Sequence, residues 1–364
     1  MSEIQDDTLA LLAATAERTF DELCSKEVID AAENGTWPAA LWNTIEQLGF
    51  TRAALPEKAN GSGLTLASAL TLARPAGSFA LPVPLCETQF AAWLLDQAGH
   101  PVPDGPLSFG PVDRRNAASL TAHADGWILH GRIHGLPWGS YAQRLALVLP
   151  SERGTMVASV DPKLATSSDK RNLAGEPRTT FDFDHVKLSN SDVRTLPQTL
   201  PKNVAYVCGA LLRTLQISGA LARARDLAIR YTADRIAFGK PLNKLQAVQQ
   251  NLAVLAGQAA AAIVASDMVL DALADADMNN LTISVALGKA RAGEAAGIGA
   301  ALAHQLHGAI GFTHEHRLHH FTRRLWSWRD EFGNESYWAA QAGEHIVARG
   351  AEGLWAYITQ AARL

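Results

Sequence analysis

The hydrophobic period changes twice along the 364 residues of this chain. Up to about residue 104, apolar residues recur at steps of three and four, which is typical of amphipathic helices. Between about 105 and 200 the step falls to two in short runs such as LTAHADGWILHGRI, which indicates β-strands. Long helical patterns then return. The sequence therefore predicts three domains: a helical one over 1–104, a small antiparallel β domain over 105–200 and a helical bundle over 201–364.

Individual helices are predicted wherever the helical period persists. In the first domain they cover Leu9–Leu23, Leu41–Phe50, Leu66–Leu72 and Glu87–Gln97. In the last they cover Val204–Ala233, Leu245–Ala274, Leu281–Leu306, His314–Trp328 and Glu335–Thr359. Long helices joined by short loops make a four-helix bundle, so the predicted fold class is α+β, mainly α. No GxGxxG follows a strand and no Walker motif is present, which argues against a dinucleotide-binding parallel sheet.

Charge and cysteine content exclude several classes of function. The chain has 32 Lys and Arg against 36 Asp and Glu, a net charge of −4, and lacks the basic surface of a nucleic-acid-binding protein. Cys24, Cys86 and Cys208 are far apart, so neither a disulfide framework nor a zinc site is predicted. The opening MSEIQDD lacks a signal-peptide apolar core, and Leu252–Ser266, the nearest approach to a membrane span, falls short of about 18 residues. These features predict a cytoplasmic protein with no membrane span and no nucleic-acid partner.

Two motifs in the bundle carry the main functional signal. The first lies in the loop RIAFGKPLNKLQAVQQ between two bundle helices, and its marked positions are Arg235, Phe238, Gly239 and Gln246. The second lies at the end of the third bundle helix, in QLHGAIGFTHE. Its spacing is Gln-x-x-Gly-x-x-Gly, at Gln305, Gly308 and Gly311.

Together with the α–β–α order, these motifs resemble those of the acyl-CoA dehydrogenase family, and the resemblance covers nearly the whole chain. It implies FAD-dependent α,β-dehydrogenation of an acyl-CoA thioester, in which a glutamate removes the α proton while the β hydride passes to the flavin. It also implies a tetramer that binds acyl-CoA as substrate and passes electrons to electron-transfer flavoprotein.

The resemblance assigns six residues of the two motifs to cofactor binding. Arg235 would meet the FAD pyrophosphate as a planar, permanently charged donor, and Phe238 would offer a ring face. Gly308 and Gly311 would let the backbone approach the cofactor closely. Gln246 and Gln305 complete this cofactor-binding set. In the family these groups reach an FAD that is held mainly by a neighbouring subunit.

The sequence departs from the family where a subunit holds its own flavin. The family's Thr-Glu-Pro and Ser-Asp loop is replaced by the shorter LSFGPVDRRNAASL. The strand that normally brings Trp-x-Thr against the flavin corresponds to GRIHGLPWG, which places Gly135 and Pro137 at those two positions. The usual resting surface of the flavin is therefore largely missing.

The catalytic base is also displaced. Counting from Gln305 places Phe332 at the family's glutamate, whereas counting back from the last helix places Glu331 there. A base must come within about 3 Å of the proton that it removes, so a shift of one residue matters. In family members whose base lies on the first bundle helix, the matching position is Gly209. Glu331 remains the candidate base, and the alternatives for it are a solvated acid or the partner of a nearby arginine.

In the family, the missing flavin-contacting segments and base belong to a subunit's own active site. The two retained bundle motifs contact the FAD of a neighbouring subunit. This profile resembles the smaller, catalytically degenerate subunit of bacterial heterotetramers that act on steroid side chains and other bulky acyl-CoA thioesters. The sequence therefore predicts a subunit that lends FAD-binding residues to an unlike catalytic partner. Two alternatives stay open: a self-sufficient homotetrameric dehydrogenase or oxidase that uses Glu331, and a flavin-free assembly scaffold.

The stretch HEHRLHHFTRRLWSWRD has other possible roles. His316 and His320 are four residues apart and could share a helix face as metal ligands, but no Cys or carboxylate completes a set, so no metal site is predicted. Arg323 falls on an arginine position of the family pattern and is predicted to form a structural ion pair. The tryptophans at 326, 328 and 338 are predicted to lie in the core or at an interface.

Overall fold

The computed structural model describes residues 3–112, 117–275 and 277–361. The N-terminal helices are α1 (Glu3–Leu23), α2 (Lys26–Glu33), α3 (Ala39–Gln47), α4 (Leu66–Leu70), α5 (Ala73–Ser78) and α6 (Leu85–Gln97). All four predicted helices of this region are present, whereas α2 and α5 were not predicted from the sequence. Helix α2 begins at Ser25, whose hydroxyl accepts a hydrogen bond from the Val28 N–H at 3.3 Å and so satisfies one of the free N–H groups of the first turn.

The middle region forms an eight-stranded sheet. Its strands are β1 (Leu107–Gly110), β2 (Ser119–His123), β3 (Gly126–Pro137), β4 (Arg144–Ser151), β5 (Gly154–Val160), β6 (Thr166–Arg171), β7 (Pro177–Leu188) and β8 (Val193–Thr195). Their order is β6-β7-β3-β2-β4-β5-β8, and β1 also pairs with β4.

The sheet is antiparallel in most of its pairs, as predicted, but β4 runs parallel to both β1 and β2. Side-chain alternation reports that a segment is a strand and does not report its direction, which is why the sequence missed this. Part of the shortened loop LSFGPVDRRNAASL, residues 113–116, lies outside the described residues.

Five long helices follow in the described chain: α7 (Val204–Asp234), α8 (Gln246–Ala274), α9 (Met278–His307), α10 (Leu318–Asp330) and α11 (Glu335–Ala361), of which α11 is kinked at Gly350. Helix α7 is central, because it packs against α8, α9, α10 and the N-terminal α5. Its contact with α5 depends on glycine: a Cβ on Gly219 would lie 2.0 Å from the carbonyl oxygen of Arg74. A Cβ on Gly77 of α5 would likewise lie 2.1 Å from the carbonyl oxygen of Gln216. The two backbones therefore touch, and this contact fixes the N-terminal helices on the bundle.

Two bundle helices, α7 and α8, are long and apolar enough to cross a membrane by length and composition alone. The apolar window of α7 is 94% buried inside the protein, as expected of a core helix, but that of α8 is only 33% buried. Val254 and Val264 of α8 are 48% and 67% exposed. Helix α8 thus presents an apolar face that a single chain does not cover, and the absence of a membrane span stays a prediction.

Candidate functional site

Positions 209 and 332, where the family resemblance would place a catalytic carboxylate, are in direct contact. Phe332 follows the end of α10, and its side chain is 2% exposed. A Cβ on Gly209 of α7 would lie 2.2 Å from two atoms of the Phe332 ring, far closer than any real contact. Only glycine fits at position 209 while that ring is in place.

The Phe332 ring is fixed by aromatic neighbours on several elements. It stacks on Phe109 of β1 with centroids 5.5 Å apart and planes at 14°, and it meets Tyr206 edge-on at 6.2 Å. The Trp338 indole N–H donates to the Phe332 carbonyl oxygen at 2.8 Å. The ring therefore fills the space beside Gly209 between the bundle and the sheet.

The turn after α10 has a strained backbone that directs the side chains of Glu331 and Phe332 to different partners. Phe332 has φ 54°, a left-handed conformation that is uncommon for a bulky residue, and Gly333 follows with φ 93°. Two successive left-handed residues reverse the chain sharply after Glu331. The Phe332 ring faces the aromatic cluster, while the Glu331 carboxylate meets a different set of partners.

Glu331 is held by three donors. Its Oε1 accepts from Arg178 Nε at 2.7 Å and from Asn172 Nδ2 at 3.1 Å, and its Oε2 accepts from Arg213 Nε at 2.8 Å. The side chain is 13% exposed, and the side chains of Arg178 and Arg213 are 9% and 2% exposed. The carboxylate is thus a largely enclosed partner of two buried arginines.

Glu331 belongs to a continuous chain of ion pairs that joins all three parts of the molecule. From α6 to α2 its members are Glu87, Arg213, Glu331, Arg178, Glu176, Arg324, Glu33 and Arg323. We call these residues the ion-pair chain. Its four carboxylates and four guanidinium groups balance. The Arg323–Glu33 contact confirms the structural ion pair that the sequence predicts for Arg323.

The charges of the ion-pair chain stabilise one another strongly. Burial alone would raise the pKa of Glu176, but Arg178 and Arg324 lower it to about 2. Because this pKa lies below its unfolded value, the stability that Glu176 contributes is present at neutral pH and is lost as pH falls toward 2. Burial alone would lower the pKa of Arg213, but Glu331 and Glu87 raise it above its usual range.

Lys289 of α9 fixes the turn that carries Glu331 and Phe332. Its Nζ donates to the carbonyl oxygen of Arg329 at 2.6 Å and to that of Gly333 at 2.8 Å, one on each side of the pair. The side chain is fully buried, and burial lowers the pKa of Lys289 to about 7. The two hydrogen bonds from this buried lysine hold the turn in a fixed position against α9.

The sequence missed the ion-pair chain and Lys289 as features of this region. A signal existed for two members: Arg213 interrupts the apolar run CGALLRTLQISGAL, and Lys289 interrupts SVALGKARAG. A charge on the apolar face of a helix is almost never buried without a partner. Nothing in the sequence indicated which carboxylates those partners would be.

The first cofactor motif lies at the protein surface. Ile236–Ala237 (β9) and Lys240–Pro241 (β10) pair as a two-residue hairpin whose turn is Phe238 and Gly239. Both turn residues have positive φ, 53° and 77°, as a type I′ turn requires, although Asn or Gly usually takes the first position. The turn presents the Phe238 side chain 88% exposed.

Arg235 and Gln246, at the two ends of this loop, are also exposed. Within the described ranges, the Arg235 guanidinium makes neither an ion pair nor a hydrogen bond. Arg235 and Phe238 are thus both exposed within one short loop, and their role in cofactor binding stays a prediction.

The second motif lies next to the first. Gln305 and Gly308 are exposed, Gly308 has φ 62°, and Gly311 is buried. The Tyr231 ring on the last turns of α7 stacks on His307 with centroids 4.8 Å apart, which places the ends of α7 and α9 side by side. The structure thus brings the two motifs that are predicted to bind the cofactor onto neighbouring surface.

Aromatic residues form a cluster just beyond the end of β3, the strand on which the family rests its flavin. Gly135 has φ 65°, and Trp138, just beyond Pro137, has φ 58° and is 6% exposed. Trp37, from the segment between α2 and α3, stacks on Tyr141 at 4.9 Å and contacts Trp138 edge-on at 6.4 Å. These aromatic side chains pack on one another beyond Pro137, whereas a Cβ on Gly135 would meet nothing within 4 Å, so position 135 itself is open.

His316 and His320 do not converge on one ligand position. His316 packs on His307 with centroids 4.6 Å apart, whereas His320 Nε2 contacts Asp30 Oδ1 at 2.7 Å. Burial lowers the pKa of His316 to about 4 and that of His320 to about 3, so both rings are neutral near pH 7. The thiol of Cys208 is also buried, and burial raises its pKa to about 12, which makes it inert as a nucleophile.

Replacing Gly209 by alanine is expected to destabilise the chain by about 1–3 kcal/mol, because the new methyl group would overlap the Phe332 ring. Gly257 of α8 is the matched control: a Cβ there meets nothing within 4 Å, so Gly257→Ala should stabilise by up to about 1 kcal/mol. Chemical denaturation of both variants measures the difference. Adding Phe332→Ala should remove most of the cost of Gly209→Ala, and equal tolerance at 209 and 257 would show that the ring does not occupy this space.

Comparison with known proteins agrees with this architecture. The model of the acyl-CoA dehydrogenase N-terminal domain matches residues 6–102, and that of the C-terminal domain matches residues 209–336. Acyl-CoA dehydrogenase IpdE2 of Mycolicibacterium smegmatis is 25% identical over 317 residues, which cover 86% of this chain and 91% of the relative.

Solved structures show the same fold at low identity. The ChsE4-ChsE5 complex from Mycobacterium tuberculosis has a TM-score of 0.84 and 17% identity, covering 95% of this chain and 98% of the matched chain. A Tcur3481-Tcur3483 steroid ACAD variant has a TM-score of 0.84 and 21% identity, covering 96% and 99%. The matched N- and C-terminal domain models define an oxidoreductase that acts on CH–CH groups. The chain belongs to the acyl-CoA dehydrogenase family.

Proposed function

We propose that this chain is the non-catalytic subunit of an FAD-dependent acyl-CoA dehydrogenase and lends FAD-binding residues to an unlike, catalytic partner. The observation that carries the proposal is the contact between Phe332 and Gly209, which fills both positions where a family member places its base. A chain with that space occupied has no carboxylate facing an α proton there.

Glu331 does not replace the missing base in this proposal. A general base needs a lone pair aimed at the substrate proton from about 3 Å, and the Glu331 oxygens are engaged by Arg178, Asn172 and Arg213. We assign Glu331 to the ion-pair chain, where it joins the sheet to α7.

The exposed residues fit an FAD bound at a subunit boundary. The free guanidinium of Arg235 would bind the pyrophosphate, the Phe238 ring would pack on a planar part of the cofactor, and Gly308 offers backbone without a side chain in the way. Gln246 and Gln305 would add polar contacts, and Gly311 would keep the second turn compact. Bound FAD supplies the hydride acceptor, while these residues bind and orient it.

The partner is proposed to be an unlike member of the same family in a heterotetramer. The uncovered apolar face of α8 is a suitable subunit surface, since a patch of this kind usually marks an interface. One structural neighbour is described as the ChsE4-ChsE5 complex and another as a steroid ACAD, which supports a bulky acyl-CoA thioester as substrate. Electron-transfer flavoprotein is the proposed electron acceptor, and the cytoplasm the proposed location.

Expressing the chain alone tests this function. The isolated chain should show little flavin absorbance and no dehydrogenation of acyl-CoA, because its own flavin surface and base are absent. Co-expression with an unlike family member from the same cell should yield a yellow, active complex. A stoichiometric yellow and active homotetramer would contradict the proposal, and a colourless complex would instead favour the assembly scaffold.

A further inference from the structure

The outer part of the β3–β7 pairing contains a β-bulge. Leu129 pairs with Val186 and Gly131 pairs with Phe183, so the single residue His130 of β3 faces two residues of β7. Those two residues are Asp184 and His185. A bulge of this kind re-aims a side chain, and it is usually a maintained feature rather than a defect.

The bulge places two imidazole rings together at the surface. His185 has φ 52°, a left-handed conformation that costs about 1 kcal/mol or more outside glycine. Its ring stacks on His130 with centroids 4.2 Å apart and planes at 29°. Both rings are exposed, and His185 is 70% exposed. Backbone strain is therefore maintained to hold two exposed rings side by side.

Asp184 completes a group of three possible metal ligands. Each of His130, Asp184 and His185 has a ligand atom within 4.8 Å of those of the other two. Asp184 Oδ1 lies 2.8 Å from His185 Nδ1, and a metal ion bound by both atoms would replace the proton that they share. The neighbouring cation on β3, Arg132, is paired with Asp182 and does not repel a metal ion.

We propose that His130, Asp184 and His185 form a binding site for a divalent transition-metal ion of the Zn²⁺ type. Imidazole nitrogen and carboxylate oxygen are ligands of Zn²⁺ at about 2.0–2.2 Å, and water can take the remaining position. The two imidazole rings are exposed and must rotate out of their stacked arrangement to bring the three ligand atoms to that distance. The ion would join β3 to β7 across the bulge. This site is independent of the proposed function.

A second group within the described residues, Asp30, His319 and His320, is less suited to a metal ion. Asp30 already holds Lys26 at 2.5 Å and His320 at 2.7 Å. His319 Nδ1 is 2.9 Å from the Arg323 guanidinium. A cation there would displace existing partners and lie beside an arginine and a lysine, whereas the bulge site is open to solvent.

Zn²⁺ titration of the tag-free, EDTA-treated chain tests the site by calorimetry and thermal unfolding. We expect one Zn²⁺ per chain at the bulge, with a rise in the unfolding temperature. His130→Ala and His185→Asn should each weaken that binding by at least about tenfold. Asn tolerates the left-handed conformation, so His185→Asn should preserve the fold. His123→Ala, which removes an exposed histidine of β2 outside the group, should leave binding unchanged.

Two results would overturn the site. One is the absence of saturable Zn²⁺ binding in the wild-type chain, and the other is equal binding by the wild type, His130→Ala and His185→Asn. Co²⁺ gives a further readout, because ligation by nitrogen and oxygen in a four-coordinate site changes its visible spectrum. That spectrum should appear with the wild type and His123→Ala and be lost with the other two variants.

Discussion

Replacing Glu331 by glutamine is expected to lower the free energy of unfolding by about 3–5 kcal/mol while leaving turnover per flavin of the assembled complex unchanged. The substitution keeps the shape of the side chain but removes one of four balanced carboxylates. It leaves Arg178 and Arg213 buried with a net positive charge. Denaturant unfolding of the chain and steady-state turnover of the complex, normalised to flavin, measure the two effects.

Glu335→Gln is the matched control for this substitution. Glu335 lies four residues later and also pairs with an arginine, Arg329, but the side chains of Glu335 and Arg329 are 25% and 36% exposed. Breaking so exposed a pair should cost less than about 1 kcal/mol. If Glu331→Gln instead abolished turnover and left stability close to that of Glu335→Gln, Glu331 would be a base and not a structural ion-pair residue.

Replacing Arg235 by alanine is expected to weaken FAD binding by the assembled complex by roughly tenfold to a hundredfold, the loss of a charge-assisted hydrogen bond to a phosphate. Arg235→Lys should retain only part of the wild-type FAD affinity, because an ammonium group cannot reproduce the planar array of donors of a guanidinium group. The stability of the isolated chain should not change, since within the described ranges the Arg235 guanidinium has no partner. Fluorescence titration of the FAD-depleted complex measures the affinity.

Arg230→Ala is the control for charge alone. Arg230 is exposed on the last turns of α7, five positions before Arg235, and its removal changes the net charge equally. FAD affinity should remain within a factor of about two of the wild type, because screened charges away from the binding site contribute little. Equal FAD affinity of wild type and Arg235→Ala would remove this chain from the cofactor site.

Much of the fold could be predicted from local pattern. Every long helix of the bundle and every predicted N-terminal helix is present, because their amphipathic period persists over several turns. However, α1 begins at Glu3 rather than Leu9, and the last helix is interrupted at Gly350. The short helices α2 and α5 were missed, since eight and six residues hold too little of a period. Strand direction was missed at β4 because alternation is the same for parallel and antiparallel pairing.

In the candidate site, too, residues of contiguous motifs could be predicted from the sequence, whereas residues brought together by packing could not. Arg235, Phe238 and Gln305 could be predicted as exposed candidates because each belongs to a contiguous motif, and their role in cofactor binding stays a prediction. The ion-pair chain could not, because Glu33, Glu87, Glu176, Arg213 and Glu331 come from separate elements and each looks like an isolated charge in the sequence. The contact of Phe332 with Gly209 depends on how α7 packs against the turn after α10, and no spacing rule shows it.

The central claim is that this chain fills its own base position yet completes the FAD site of another chain. The most direct test is the molar ratio of FAD to each chain in the purified complex, from flavin absorbance and quantitative mass spectrometry. We predict one FAD for each pair of unlike chains and almost none in this chain alone. One FAD per copy of this chain, reduced by acyl-CoA in the absence of any partner, would contradict the claim.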